Sequence, residues 1–89
     1  MNWLERLQIA LDQSRSHSAT WGEHQAIRSI VVQLEYLIGL ATGETRDRSK
    51  LRDISIGVLA VREIEIRDAA LAELLEAIAA EARRGGRTP

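Results

Sequence analysis

Near the start of the chain Trp3, Leu4, Leu7, Ala10 and Leu11 recur three and four residues apart, with Glu5, Arg6, Gln8 and Asp12 between them. That spacing is one apolar face of an amphipathic helix, and Asn2 stands where an N-cap is wanted. The polar stretch "SRSHSA" predicts its end. A second run, Ile27, Ile30, Val31, Leu34, Leu37, Ile38 and Ala41, keeps helical period up to Thr42-Gly43, a C-terminal stop. Thr20 and Glu23 ahead of it have capping-box spacing. Val32, Tyr36 and Leu40 fall opposite the Ile27/Ile30/Leu34 stripe, so this helix is either central or meets a partner.

The segment "ISIGVLAVREIEI", from Ile54 to Ile66, is ambiguous. Alternation of Ile54, Ile56, Val58 and Ala60 supports a strand, whereas Leu51, Ile54, Val58 and Val61 at spacings of three, four and three support a helix. A lone strand needs a neighbour for its backbone groups, and the chain offers no second β-rich run and no hairpin turn. A buried helix is therefore expected, preceded by a loop "GETRDRSK" in which Asp47 or Ser49 is placed to cap it. Gly57 with Ala60 would let another helix come close, which explains a glycine that costs about 1 kcal/mol inside a helix. Asp68 is the expected cap of a last helix carrying Leu71, Leu74, Leu75, Ile78 and Ala82, which stops before Gly85-Gly86. The pattern predicts an all-α protein: a compact bundle of about four helices in one domain, residues 1–84, with a flexible tail at 85–89.

With a formal net charge of -1 the chain lacks the basic excess of a phosphate binder, so nucleic acid is not an expected partner. It has no cysteine, and hence no disulfide frame and no thiolate chemistry, which fits a reducing, cytoplasmic setting. Its N-terminus has charged residues inside the apolar pattern and does not read as a signal peptide. No apolar run approaches the roughly 20 residues that span a bilayer, so no membrane is expected.

His17 and His24 stand seven apart across the predicted loop without cysteine or HExxH spacing, and are read as solvated rather than metal-binding. No glycine-rich phosphate loop or nucleophile motif occurs, so no cofactor and no enzymatic activity are expected. Glu63, Glu65, Asp68, Glu73, Glu76 and Glu81 crowd the last third of the chain. They read as a solvated face, or as an acidic docking surface for a basic partner. Trp21 and Tyr36 read first as packing residues, Tyr36 being the better interface candidate because it lies off the main stripe.

The stretches "SIVVQLEYL", "DRSKL" and "IGVLAVRE" resemble the small all-helical immunity proteins that neutralise NAD(P)-hydrolysing toxin domains delivered by bacterial type VI secretion. The resemblance is strongest from Ser29 to Glu63. It rests on Ser29, Gln33-Leu34 with Tyr36, Asp47-Arg48-Ser49 with Leu51, and Gly57 with Ala60-Val61 and Glu63. Two departures stand out: "AEARRGGRTP" replaces the family's C-terminal extension, and the loop from Ala19 to Glu23 lacks a proline. The resemblance favours helix for the ambiguous segment. It also implies a protein that binds a cognate toxin and occludes its NAD-binding cleft. The toxin-binding surface is then expected on the outward side of the second helix, at Gln25, Ser29, Val32 and Tyr36, with Asp47 and Arg48 from the loop and Glu63 from the third helix. A plainer reading of the polar members has Asp47 and Ser49 as caps and Glu63 as solvated. The alternative function is a helical adaptor or antitoxin-like homodimer that self-associates through Val32, Tyr36 and Leu40.

Overall fold

The computed structural model describes residues 2–22 and 24–84, and among them every regular element is helical. Asn2 opens α1 (Trp3–Thr20) through a reciprocal capping box: its Oδ1 accepts from the Glu5 N–H at 2.8 Å and its own N–H donates to the Glu5 carboxylate at 3.1 Å. The helix does not end at "SRSHSA". Ser14 is fully buried and His17 reaches Asp68, so contacts made by the fold hold this polar stretch helical against its weak intrinsic preference. Thr20 is accordingly the last residue of α1, its Oγ1 donating back to the Ser16 and His17 carbonyls. It does not cap the next helix, and Glu23 lies outside the described residues. His24 takes the capping role for α2 (Gln25–Thr42), its Nδ1 accepting from the Ile27 N–H at 3.3 Å. At the far end Gly43 adopts φ +82°, the left-handed conformation that closes a helix and that side chains resist.

A 3₁₀ turn (Ser49–Asp53) leads into α3 (Ile56–Leu59), which continues without a break into a π turn (Ala60–Ile64). The Glu65 N–H reaches back five residues to the Ala60 carbonyl at 2.9 Å. The segment is thus helical, as expected, but it buries a different face. Ile56, Ala60 and Ile64 are fully enclosed, while Val58 and Val61 are 57% and 49% exposed. Leu51 and Ile54 precede the helix and are only half-buried. The wider π turn keeps residues spaced by four in line, which the three-and-four reading could not anticipate.

Asp68 caps α4 (Ala69–Arg83), its Oδ1 accepting from the Leu71 N–H at 3.0 Å. Leu71, Leu75, Ile78 and Ala82 are buried, Leu74 partly so, and Ala72 and Ala79 widen the stripe. A Cβ built on Gly57 would stand 3.1 Å from the Ala79 Cβ, so α3 and α4 approach as closely as the glycine allows. Gly85-Gly86 and the tail lie outside the described residues. The chain therefore forms two helical hairpins, α1 with α2 and α3 with α4, and α4 also packs on α1 while α2 touches α3. One core unites them. The radius of gyration, 12.2 Å, matches the roughly 12 Å expected of a compact chain of this length.

Candidate functional site

Gln25, Ser29, Val32 and Tyr36 follow one another at helical spacing along one side of α2. Near the start of the helix, Gln25 and Ser29 share an open groove with His24, Ala26, Leu59 and Glu63. The structure thus brings three of the expected residues, two from α2 and one from the π turn, around the same opening. Ser29 is held by Gln33, whose Nε2 donates to it at 3.1 Å and to Ser55 Oγ at 3.0 Å, while Gln33 Oε1 accepts from the Ser55 N–H at 2.8 Å. Gln33 therefore fastens α2 to the entry of α3 and satisfies a helix-end N–H that has no intrahelical partner.

Further along, Tyr36 is half-buried and its hydroxyl donates to the Asp47 carbonyl at 2.6 Å, pinning the loop to α2. Asp47 accepts from the Ser49 N–H at 3.0 Å. The Ser49 hydroxyl and N–H hold its exposed carboxyl below the usual range, so it presents a negative charge at neutral pH. Arg48 is exposed beside it and its carbonyl accepts from the Leu51 N–H. Val32, 64% exposed, is an aliphatic spot on this otherwise polar side. Of the three residues expected to mediate self-association, Tyr36 and Leu40 pack partly against the core, which leaves Val32.

The histidines are not solvated. His17 Nε2 lies 2.7 Å from Asp68 Oδ2 and its ring stacks on Trp21, centroids 4.3 Å apart at 11°. The His24 ring lies 5.4 Å from the same indole, tilted by 57°, and the Arg67 guanidinium stands 4.8 Å over the Trp21 ring. The cluster ties the end of α1 and the start of α2 to the start of α4. Bonding from the Leu71 N–H first, and then from His17, holds the Asp68 carboxyl below its ordinary value. Sequence spacing had shown Asp68 as a cap, but nothing local links it to a histidine 51 positions away. Among the described residues no group of three or more acids and histidines is arranged to hold a metal ion, and no helix is long and apolar enough to cross a membrane.

The family model of Tsi6 matches residues 3–84, nearly the whole bundle. The chain belongs to the Tsi6 family. Its fold is similar to the structure of Tsi6 from Pseudomonas aeruginosa, with a TM-score of 0.86 and 26% identity over 97% of this chain and all of that one. A chain in the structure of Tse6 in complex with Tsi6 superposes with a TM-score of 0.85 at 24% identity, covering both chains fully. No curated protein matches the sequence. The Tsi6 match runs well beyond the Ser29 to Glu63 stretch on which the sequence resemblance rested.

Proposed function

We propose that this chain is an immunity protein that binds a cognate type VI toxin and blocks its active site, the toxin being an NAD(P)-hydrolysing enzyme. The observation that carries the reading is the match to the Tsi6 family along the whole bundle, together with a Tsi6 relative held in complex with Tse6. The protein then acts as a stoichiometric binder in the cytoplasm of the toxin-bearing cell, with no catalytic step of its own. The side of α2 supports a contact made by Gln25, Ser29, Val32, Tyr36, Asp47, Arg48 and Glu63. It combines an open groove, an exposed aliphatic residue and a loop fixed by Tyr36, so that little has to be ordered on binding.

The test is co-expression with the adjacent open reading frame as candidate toxin, scored for rescue of growth, followed by titration of NAD(P) hydrolysis with purified protein. Inhibition should be complete at one equivalent. Val32→Glu and Glu63→Lys should weaken it by roughly tenfold each while the melting temperature stays within about 2 °C of wild type, since both side chains are exposed. Inhibition at far below one equivalent would contradict a binder. Full potency in both variants would move the contact off this side of α2.

A further inference from the structure

On the side of α3 away from Glu63, two adjoining grooves share Gly57, Val58 and Arg83 and follow the seam between α3 and α4. The larger has a volume of about 520 Å³. Aliphatic groups line both: Leu51 and Ile54 at one end, Val58 in the middle, Val61 at the other. Val58 and Val61 are about half exposed; of the exposed large hydrophobic residues, which also include Ile9, Val32 and Ile66, these two lie together on one groove. Arg52, Arg62 and Arg83 stand around it. None of the three forms an ion pair among the described residues, whereas Arg15 and Arg84 are both paired. Glu76 is the single acid on the lining, and it pairs with neither neighbouring arginine. A chain with a net charge of -1 thus concentrates three unpaired guanidinium groups along one apolar groove.

We propose that this groove docks an acidic amphipathic helix of a partner protein, its aliphatic side chains on Val58 and Val61 and its carboxylates on Arg52, Arg62 and Arg83. A seam between two helices takes a third helix through i, i+3 and i+4 anchors. Guanidinium groups select carboxylates by paired N–H donation. The aliphatic floor and Glu76 disfavour a bare polyphosphate, which has nothing to place on the first and is repelled by the second. Residues 85–89 offer no complement, because they carry Arg87 and no acid. The proposal does not depend on the toxin reading, since the groove and the candidate toxin contact flank α3 on different sides.

The probe is a synthetic helical peptide with leucine at i, i+3, i+4 and i+7 and glutamate at its remaining positions, compared with the same peptide bearing lysine in place of glutamate. Methyl resonances of the full chain are followed during titration. The glutamate peptide should shift Val58 and Val61, lose affinity as salt is raised, and bind about tenfold more weakly to the triple variant R52Q/R62Q/R83Q. Val58→Asp should abolish binding without lowering the melting temperature. The triple variant should still neutralise toxin like wild type, which keeps this test separate from that of the proposed function. Equal binding of the lysine peptide, shifts clustered elsewhere, no binding at all, or a wild-type dimer with Val58 and Val61 buried between its copies would each overturn the proposal.

Discussion

Replacing Asp68 by alanine removes two bonds from one side chain, and their sizes can be set from the geometry. Oδ1 caps α4 through the Leu71 N–H at 3.0 Å, and loss of such a cap costs about 1 kcal/mol. Oδ2 meets His17 Nε2 at 2.7 Å, with side-chain exposures of 27% for Asp68 and 24% for His17. Partial solvation reduces that bond to about 1 kcal/mol. Asp68→Ala should therefore destabilise the fold by about 2 kcal/mol at neutral pH, a fall in melting temperature of roughly 8–16 °C for a domain of this size. Asp68→Asn keeps the cap, because asparagine serves equally well there, and should lose about half as much. The effect must also depend on pH in one direction. The carboxyl titrates lower in the folded protein than its ordinary value of 3.8, so its ionic stabilisation is fully present above that value and disappears as pH falls through the folded one. Urea unfolding of wild type and Asp68→Asn across the acid range should show their difference shrinking towards zero. If Asp68→Ala unfolds within about 0.5 kcal/mol of wild type at neutral pH, or if the difference is independent of pH, the reasoning fails.

Two further substitutions test the packing. Gly57→Leu forces a side chain into a seam where even a Cβ would meet Ala79 at 3.1 Å, and should lower stability by about 1–3 kcal/mol in chemical denaturation; an unchanged midpoint would mean that α3 and α4 can separate freely. Ser14→Ala deletes a buried hydroxyl that has no hydrogen-bond partner among the described residues and supplies a better helix former, so a gain of about 1 kcal/mol is expected from thermal unfolding, and a loss would refute the assignment of its Oγ as unsatisfied.

The helices with a single clean stripe were legible because their evidence is local. Asn2 with Glu5, Gly43 after Ala41, and Asp68 before Leu71 each lie within one turn of what they act on. Where reading failed, the deciding contact was distant in sequence. The end of α1 was placed too early because His17 is held by Asp68, and the histidines looked solvated because the indole between them and Arg67 converge only in the fold. Likewise Gln33 was visible as part of a resemblance, but its role in joining α2 to Ser55 depends on 22 intervening residues. Within the candidate contact, the alignment of Gln25, Ser29, Val32 and Tyr36 followed from helical spacing, whereas the meeting of Gln25 and Ser29 with Glu63 required the tertiary fold.

The π turn makes this part of the chain one residue longer than its core requires. Wound as a regular helix, Ile64 would sit about 80° around the axis from Ile56, off the buried face, while a chain shortened by one residue would bring the same isoleucine to within about 20° of it. The turn is therefore a seam at which single residues can enter or leave during descent without disturbing either neighbour in the core. Relatives with one residue fewer between Ala60 and Ile64 should carry an unbroken helix there and the same buried trio. Deletion of Arg62, whose side chain is exposed, reproduces that change in one step: the shortened protein should fold with a melting temperature near wild type, whereas collapse of the fold would show that the extra residue is structurally required. A residue lost there would spare the core but alter the surface, since Val61, Arg62 and Glu63 line the grooves on either side.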